Sequence, residues 1–460
     1  MYIEQMYTNC LAEAAYYIES DGEAAIIDPI RETLPYIQKA KERGVKIKYV
    51  FETHFHADFV SGHIDLARES GARIVFGPLA ETAYDVHHAK DGEILHIGKV
   101  QIKVLHTPGH TPESSTYLLI DENGKNHCVF TGDTLFVGDV GRPDLLDGKM
   151  SKEDLAGMMY DSLNNKIKPL ADDVIVYPAH GPGSACGKNI GKETWSTIGI
   201  QKKTNYALGN MSREEFIATL TKGLTPPPSY FFADAMINKN GYDNISDVMH
   251  RNNHALDLTA FRKEMDNGAL ILDTRDPDTF EKGFIPGSIN IGLQGTFAVW
   301  VGTLIDIKKP LLLITAEGKE EETVLRLARV GYEQVNGFLK GGMPAWSASG
   351  NKVETIESVS PAEFCGQLNN KVVIDVRKEG EFETVHVKGA QLVPLSDLES
   401  RLKTFDPGKD YLVHCAGGYR SMIASSILKR NGIHNFKNVL GGMAKIKEAG
   451  APVEEAKLTV

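Results

Sequence analysis

The stretch THFHADFVSGH, residues 53–63, contains three histidines and an aspartate. One residue separates His54 from His56, so both imidazoles can project to the same side of a loop at a strand end. Further polar motifs follow other apolar runs: HTPGHTPES with His110, TGDTLF with Asp133 and YPAHG with His180. A lone histidine is more often a surface or core residue than a ligand, but four such motifs in this order predict a buried metal site.

Sulfur chemistry is indicated by the stretch HCAGGYRS, residues 414–421. Cys415 lies between the apolar run YLV and the helical run MIASSILKR, where the N–H groups of a tight loop and of a helix N-terminus converge on its sulfur. Such surroundings stabilise a thiolate and an anionic persulfide, and Arg420 adds a positive charge. The predicted cradle of the persulfide consists of Ala416, Gly417, Gly418 and Tyr419.

The elements that must position the metal motifs are short strands. Residues 1 to about 180 alternate apolar runs with polar turns, which is typical of strands whose loops carry function. The predicted strands are AAIIDP, IKYVFETH, ARIVFG, IKVLHTPGH, STYLLI, HCVFTGD and VIVYPAHG. The pattern from about 195 to 225 predicts helix, with Ser212 as an N-cap and Glu215 as its capping partner.

The second half of the chain contains an internal repeat. ILDTRDPDTFEKGFIPGSINI, from Ile271, matches VIDVRKEGEFETVHVKGAQLV, from Val373. In each copy an aspartate and an arginine follow the apolar run, and we expect buried ion pairs: Asp273 with Arg275, and Asp375 with Arg377. The repeat predicts two similar small domains. The expected domains are therefore residues 1–250, 255–350 and 355–460.

The two copies differ at the reactive loop. TAEGKEE places Thr315 where the second copy has Cys415, and Glu320 where the second copy has Arg420. A hydroxyl group cannot carry sulfane sulfur as a persulfide, and the acidic side chains of this loop repel anions. We therefore expect the first copy to be catalytically inactive and to serve a structural role.

The composition of the chain excludes some classes of binding partner. The 460-residue chain has a formal net charge of −11, which argues against nucleic-acid and anionic-membrane partners. We find no long uncharged apolar run and no signal-peptide pattern. Five cysteines, an odd number scattered over a long chain, do not resemble a disulfide framework. We expect a cytoplasmic protein whose partners are small molecules or other proteins.

The order of the metal motifs resembles that of the metallo-β-lactamase superfamily, in which HxHxDH precedes a distant histidine, aspartate and histidine. The resemblance covers roughly the first half of the chain. In two-metal members, the aspartate and the last histidine of HxHxDH help to hold the second ion. Phe59 stands at that last position, and because a benzyl ring cannot coordinate, we expect the second ion to be lost. A hydrolase that tolerates weaker binding there is the alternative.

A single ion held by His54, His110 and Asp133 has two histidine ligands and one carboxylate ligand. This set favours non-haem iron(II), with open positions for O2 and substrate. Within the superfamily, the iron enzymes with this triad are the persulfide dioxygenases. TGDTLFVGDVGRPDL, residues 131–145, resembles the version that is fused to rhodanese modules. The resemblance implies that other polar residues orient the ligands and ordered water: His56, Asp58 and His180.

Two residues beside the metal motifs have two interpretations each. Arg142, in GRPD, either holds the Asp133 loop through a salt bridge or binds a substrate carboxylate. Cys186, in GPGSACGK, is either a small buried residue or a reactive thiol at the mouth of the site.

The strand, C-x-x-G-x-R loop and helix around Cys415 resemble the active loop of rhodanese sulfurtransferases. A phosphatase loop uses cysteine and arginine at similar spacing. The upstream DVR, the GGM from Gly441 and the metallo-β-lactamase partner favour rhodanese. The expected fold is a multidomain α/β chain: a metallo-β-lactamase αββα sandwich followed by two rhodanese-like α/β domains, the first of them degenerate.

These resemblances imply an enzyme with one Fe(II) per chain. It would oxidise a low-molecular-weight thiol persulfide, such as glutathione or coenzyme A persulfide, with O2 to sulfite and thiol. Cys415 would pass sulfane sulfur through a covalent persulfide and form or use thiosulfate. We expect a homo-oligomer, either a dimer or a tetramer. The alternatives are a zinc thioester hydrolase that resembles hydroxyacylglutathione hydrolase, and a non-enzymatic sulfur carrier or sensor.

Overall fold

The computed structural model describes residues 1–145, 150–224 and 226–456, which form two compact units. Unit 1 comprises residues 1–248 and 326–332, and unit 2 comprises residues 249–325 and the described residues from 333 onwards. Parts of the expected first and third domains, and the end of the expected helical stretch, lie outside the described residues: 146–149, Thr225 and 457–460.

Unit 1 contains two six-stranded sheets. The first sheet keeps its strands in chain order: β1 (Tyr2–Thr8), β2 (Glu13–Ser20), β3 (Glu23–Ile27), β4 (Lys46–Phe51), β5 (Arg73–Phe76) and β6 (His87–His88). The second sheet also keeps chain order: β7 (Ile94–Ile97), β8 (Val100–His106), β9 (Ser115–Ile120), β10 (Asn126–Gly132), β11 (Ile175–Pro178) and β12 (Ser196–Thr197).

The helices from the first half of the chain are α1 (Leu34–Arg43), α2 (His63–Ser70), α3 (Lys152–Ser162), α4 (Ile198–Thr204), α5 (Arg213–Thr221), α6 (Phe231–Asn240) and α7 (Ile245–Asn252). A π-helical turn at Leu163–Ile167 extends α3, and a 3-10 turn at Tyr206–Leu208 separates α4 from α5. The predicted N-cap of α5 is confirmed, since the Glu215 N–H donates to Ser212 Oγ and the Ser212 N–H donates to Glu215 Oε2.

Alternating side chains of β2 show how the layers pack. Tyr16 and Ile18 face a core that the two sheets share. Tyr17 points to the opposite face, because successive strand residues alternate, and it packs in a second core with Tyr36 of α1 and Leu66 of α2. The first sheet is therefore covered by the second sheet on one face and by helices on the other.

The second sheet is covered in the same way. Val129 of β10 and Val176 of β11 share a buried core with Met159 of α3 and Phe216 of α5. The layers are helix, sheet, sheet and helix, and the predicted αββα sandwich is confirmed. All seven predicted strands form, as β3, β4, β5, β8, β9, β10 and β11. The predicted helical stretch is interrupted instead of continuous, because Asn205 donates from Nδ2 to the carbonyls of Phe136 and Asp139 and starts the 3-10 turn.

Unit 2 contains two five-stranded parallel sheets with the same strand order. The strands of the first copy are β13 (Ala255–Leu256), β14 (Leu270–Asp273), β15 (Ile289–Asn290), β16 (Leu311–Ile314) and β17 (Val335–Leu339). Those of the second copy are β18 (Ser358–Val359), β19 (Val372–Asp375), β21 (Gln391–Leu392), β22 (Tyr411–His414) and β23 (Phe436–Val439), with β20 (Val385–Val387) and β24 (Val453–Glu455) paired beside them. The orders β13–β17–β16–β14–β15 and β18–β23–β22–β19–β21 correspond strand for strand.

The helices from the second half of the chain follow the same repeat. They are α8 (Leu258–Asp266), α9 (Pro277–Phe280), α10 (Phe297–Leu304), α11 (Glu320–Ala328) and α12 (Gly342–Ala348), then α13 (Pro361–Gln367), α14 (Glu379–Thr384), α15 (Tyr419–Arg430) and α16 (Gly442–Glu448). Two 3-10 turns lie at Leu395–Asp397 and Glu399–Thr404. The predicted buried ion pairs form in both copies: Arg275 Nε lies 2.9 Å from Asp273 Oδ1, and Arg377 Nε lies 3.0 Å from Asp375 Oδ1.

Candidate functional site

The metal motifs of the sequence converge in unit 1 because each follows a strand of the sandwich. The loop after β4 carries His54, and the loop after β8 carries His110. Asp133 directly follows β10, and His180 follows β11. All four side chains are buried, with at most 2% of each residue exposed.

His54, His110 and Asp133 form a compact group of donor atoms. Nε2 of His110 lies 3.3 Å from Oδ2 of Asp133, and Nε2 of His54 lies 3.9 Å from the same oxygen. Their ligating atoms all lie within 4.8 Å of one another. No hydrogen bond within the described part of the chain satisfies His110 Nε2 or either Asp133 oxygen. Buried polar atoms left without partners are costly, so this group fits a bound cation.

Hydrogen bonds at the far side of each imidazole set the protonation of the ring. The Thr53 hydroxyl donates to Asp28 Oδ2 at 2.8 Å, so its oxygen accepts the His54 Nδ1–H at 2.9 Å. The Arg142 carbonyl accepts the His110 Nδ1–H at 2.8 Å. In the neutral form of each ring the lone pair therefore lies on Nε2 and faces Asp133, which is the tautomer that binds a metal. Burial, together with the neighbouring histidines, lowers the pKa of His54 well below its usual value and keeps the ring neutral.

A second group lies beside the first. The ligating atoms of His56, Asp58 and His180 also lie within 4.8 Å of one another. His180 Nε2 is 3.5 Å from Asp58 Oδ2 and 3.6 Å from Asp133 Oδ1, while its Nδ1 faces the Ala12 carbonyl at 3.2 Å. Burial alone would lower the pKa of His180, but the Asp58 and Asp133 carboxylates outweigh it and raise that pKa.

Phe59 lies against this second group. Its side chain is fully buried, and its ring packs on the His56 imidazole with the ring centroids 4.4 Å apart and the planes 32° apart. His56 Nε2 lies 3.1 Å from Oδ1 of the buried Asp28. The position that carries the last histidine of HxHxDH thus holds an apolar ring with no lone pair for a metal.

Asn238, on α6, forms three hydrogen bonds with the backbone of the histidine-rich loop. No sequence pattern predicted this role. Its Nδ2 donates to the carbonyls of His56 and Phe59, each at 2.8 Å. Its Oδ1 accepts the Ser61 N–H at 2.9 Å. The residue is 1% exposed. Three hydrogen bonds from one buried amide fix the backbone that presents His56 and Asp58.

Arg142 and Cys186 lie next to the ligand group. The Arg142 guanidinium makes two bonds to Asp144, from Nε at 2.7 Å and from Nη2 at 2.8 Å, so the salt-bridge interpretation describes its geometry. Substrate binding by Arg142 stays a prediction. The sulfur of Cys186 lies within 4.8 Å of ligating atoms of Asp133 and His180. Burial raises the pKa of the Cys186 thiol well above its usual value, which favours the protonated thiol over the thiolate.

The sulfur loop of unit 2 places one backbone N–H of the predicted cradle against the Cys415 sulfur. Cys415 follows β22, and the Gly418 N–H points to its Sγ at 3.1 Å. Gly418 has a φ of 107°, a left-handed conformation that glycine adopts without strain. Ala416 and Gly417 are exposed on the outer side of the loop. The GGM motif lies directly behind the loop, because a Cβ on Gly442 would meet the Ala416 carbonyl carbon at 2.2 Å.

Arg420 and Tyr419 of this loop have partners from other elements. Arg420 forms a two-bond ion pair with Glu381 of α14, at 2.6 Å and 2.8 Å. The Tyr419 hydroxyl donates to the Gly292 carbonyl of the first copy at 2.7 Å. The first copy therefore contributes a backbone anchor to the loop that carries Cys415.

The corresponding loop of the first copy has a left-handed glycine at the matching position but a threonine in place of the cysteine. Gly318 has a φ of 75°, as the matching glycine of the second copy is also left-handed. The Thr315 hydroxyl donates to Glu320 Oε1 at 3.2 Å, at the positions that hold Cys415 and Arg420 in the second copy. A hydroxyl paired with a carboxylate cannot hold an anionic sulfur.

Among the described residues, no helix combines the length and the apolar composition that a membrane crossing requires.

Comparison with known proteins matches the first part of the chain to one family and the internal repeat of the second part to another. The model of the metallo-beta-lactamase superfamily matches residues 8–180, and the rhodanese-like domain model matches residues 257–349 and 360–449. The persulfide dioxygenase ETHE1 of Homo sapiens is 32% identical over 209 residues, which are 45% of this chain and 74% of that protein. The hydroxyacylglutathione hydrolase GloC of Haemophilus influenzae is 30% identical over 42% of this chain and 91% of its own length.

A solved structure extends the similarity beyond the first unit. The crystal structure of a metallo-beta-lactamase from Staphylococcus aureus is 32% identical, with a TM-score of 0.66. The match covers 74% of this chain and 98% of that one. The chain therefore belongs to the metallo-beta-lactamase superfamily, as a member whose metallo-beta-lactamase domain precedes two rhodanese-like domains.

Proposed function

We propose that this chain is an iron-dependent persulfide dioxygenase that also transfers sulfane sulfur through Cys415. The observation that carries the proposal is the group of His54, His110 and Asp133, whose donor atoms face one another in a buried site. Two histidines and one carboxylate are the ligand set of many non-haem Fe(II) oxygenases. The similarity to a persulfide dioxygenase supports this choice of chemistry.

Phe59 and His180 support a single ion. The buried ring of Phe59 cannot replace a histidine ligand, and it packs on His56. His180 lies between Asp58 and Asp133, whose charges raise its pKa, so its Nε2 is suited to donate to both carboxylates. In this arrangement His56, Asp58 and His180 orient Asp133 and ordered water.

The proposed reaction converts a thiol persulfide, O2 and water into thiol and sulfite. Fe(II) at the site would supply binding and activation of O2. The protein contributes geometry, because the hydrogen bonds that the two Nδ1–H groups donate to the Thr53 hydroxyl and the Arg142 carbonyl fix the imidazoles with Nε2 facing Asp133. The burial of the three ligands keeps bulk water away from the reacting sulfur.

Cys415 is proposed to carry sulfane sulfur as a covalent persulfide, with Ala416, Gly417, Gly418 and Tyr419 around it and Arg420 as the cation of the loop. The Gly418 N–H at 3.1 Å is the donor that supports an anionic sulfur at this position. The sulfur would come from a glutathione-type or coenzyme A-type persulfide, or pass to sulfite to give thiosulfate. The first copy, with Thr315, is proposed to be inactive.

The proposal extends to organisation and location. We place the domains at residues 1–250, 255–350 and 355–460, and we propose a cytoplasmic homo-oligomer, either a dimer or a tetramer. The described cysteines, all free and none in a disulfide, fit a reducing compartment.

Anaerobic reconstitution of the full chain with Fe(II), followed by oxygen-uptake traces with glutathione persulfide, tests the first activity. His110→Ala should lose iron and oxygen uptake together, and uptake equal to that of the wild type would refute the ligand assignment. Cys415→Ser should abolish sulfur transfer from thiosulfate while it spares oxygen uptake. Full transfer by Cys415→Ser would instead point to Cys186.

A zinc thioester hydrolase is the second candidate, and one observation favours it. His56, Asp58 and His180 still form a buried group that could hold a second ion, and GloC is 30% identical. Such an enzyme would use a metal-activated water. Two zinc ions per chain and hydrolysis of a hydroxyacylglutathione thioester, without oxygen uptake, would favour this candidate over the dioxygenase.

A further inference from the structure

Glu381 forms an ion pair with Arg420, the cationic residue of the Cys415 loop. Nη1 and Nη2 of Arg420 donate to Oε2 and Oε1 of Glu381 at 2.6 Å and 2.8 Å. This parallel pair of bonds is the geometry in which arginine also recognises oxyanions. Oε2 of Glu381 accepts the Lys378 N–H at 3.1 Å as well, so the carboxylate is fixed at the start of α14.

The pair is partly shielded from water. The side chain of Arg420 is 17% exposed and that of Glu381 is 35% exposed. A two-bond pair that is partly buried and anchored by a backbone N–H is harder to open than a mobile pair on the surface. An anion that requires the fork of Nη1 and Nη2 must therefore displace Glu381.

The sulfur of Cys415 has partners that do not depend on Arg420. The Gly418 N–H lies 3.1 Å from Sγ, and the Ser421 hydroxyl oxygen lies 3.6 Å from it. The Gly418 N–H is a neutral donor that can support the single negative charge of a persulfide, whereas the Ser421 hydroxyl donates to the Gly418 carbonyl at 3.1 Å. A neutral N–H does not offer a sulfonate group the charged fork that its oxygens prefer.

We propose that Glu381 determines the substrate preference of the Cys415 loop: by holding Arg420, it selects against dianionic donors such as thiosulfate and favours organic persulfides. This inference rests on the proposed function, in which Cys415 carries sulfane sulfur.

The two donors differ in the charge that leaves. The Cys415 thiolate attacks the outer sulfur of R–S–SH, the S–S bond breaks, R–S⁻ leaves with the bonding pair, and Cys415–S–SH forms. The same attack on thiosulfate breaks its S–S bond, releases sulfite with two negative charges and leaves Cys415–S–S⁻. Both steps are exchanges at sulfur and need no added oxidant. Sulfite places its charge on oxygen atoms, which an unpaired Arg420 would stabilise.

Glu381→Gln in the full-length chain tests the proposal. Glutamine can keep the hydrogen bond to the Lys378 N–H, but it removes the charge that holds Arg420. We expect the single-turnover rate of sulfite release at low thiosulfate concentration to rise about tenfold, as for the loss of a competing charge-assisted pair. Transfer from glutathione persulfide should stay within roughly twofold of wild type, because it relies on the neutral Gly418 N–H.

Two further variants complete the test. Glu383→Gln changes an exposed glutamate of the same helix and should leave both rates at their wild-type values. Glu381→Asp keeps the charge but shortens the side chain, and it should raise the thiosulfate rate by less than Glu381→Gln does. A cooperative thermal unfolding transition well above the assay temperature would show that each variant is folded.

The outcomes separate the inference from the function on which it rests. A lower or unchanged thiosulfate rate in Glu381→Gln would overturn the inference, since Glu381 would then align Arg420 instead of competing for it. Sulfur transfer by Cys415→Ser would overturn the proposed function itself. If Cys415→Ser is inactive and Glu381→Gln keeps the wild-type donor preference, the inference is wrong and the proposed function stands.

Discussion

The Phe59 ring packs on the His56 imidazole, with the ring centroids 4.4 Å apart and the planes 32° apart. This contact joins the second histidine and the last position of an altered HxHxDH motif. Because the ring is fully buried and offers no lone pair, it fills the position of a metal ligand with apolar surface. The single-ion account of the site depends on this relationship.

Restoring the ligand should restore the second ion. We expect Phe59→His to raise the zinc content of zinc-reconstituted protein from about one to about two ions per chain, because His56, Asp58 and His180 are already within reach. The measurement is metal analysis by mass spectrometry after removal of loose ions. Phe55→His is the matched control, since the Phe55 ring packs against Phe76 in a different cluster. An unchanged metal count in Phe59→His would show that other features exclude the second ion.

Asn238 should support metal binding without contacting the metal. We expect Asn238→Ala to weaken Fe(II) binding roughly 10- to 100-fold, because the loop that carries His56 and Asp58 loses its three hydrogen bonds. Chelator competition under anaerobic conditions measures the affinity. Met236→Ala, an exposed position of the same helix, should keep wild-type affinity. Wild-type iron affinity in Asn238→Ala would show that Asn238 contributes to the stability of the fold and not to metal binding.

The sequence was most informative where the signal is local. Turn signals and β-branched runs predicted all seven strands, and the strand ends placed His110, Asp133 and His180 together. The contacts that the sequence did not reveal span long distances along the chain. Asn238 bonds to a carbonyl 182 positions away, and no short motif encodes such a contact.

Residues 326–332 give a second example of a long-range contact. They fold with unit 1, where the Arg329 carbonyl accepts the Val60 N–H at 2.7 Å. Arg329 Nε also lies 2.8 Å from Glu32 Oε1. The sequence of this segment can predict a helix, but it cannot predict that the segment contacts the loop that carries Val60. Five strands of unit 1 were also missing from the predicted set: β1, β2, β6, β7 and β12.

The loop of the first rhodanese-like copy should resist simple repair. We expect Thr315→Cys alone to give no detectable persulfide, because the Glu320 carboxylate that now accepts the Thr315 hydroxyl would disfavour a thiolate. The double variant Thr315→Cys with Glu320→Arg should form a persulfide, since Gly318 already has the left-handed conformation of the loop. Both are made in a Cys415→Ser background, and intact-protein mass spectrometry after exposure to glutathione persulfide detects the added sulfur. Equal sulfur loading of the two variants would contradict this explanation of the inactive copy.

The Arg420–Glu381 pair should stabilise the protein in a pH-dependent way. Burial raises the pKa of Glu381, but the Arg420 guanidinium outweighs it and leaves that pKa below its usual value. A carboxyl group with a depressed pKa contributes stability above its unfolded pKa and loses it as the pH falls through the folded pKa. We expect urea unfolding to show wild type more stable than Glu381→Gln at pH 7, with the difference shrinking as the pH falls below the unfolded pKa of about 4.3 and lost below the folded pKa of Glu381. A difference that does not shrink as the pH falls would mean that the charge of Glu381 is not its source.

The most direct test of the account is the identity and number of metal ions in the full-length protein, purified without oxygen from cells supplied with iron and zinc. We predict about one iron and little zinc per chain, with the iron lost in His110→Ala and in Asp133→Asn. Two zinc ions per chain, both lost when Asp133 is replaced, would contradict the proposal.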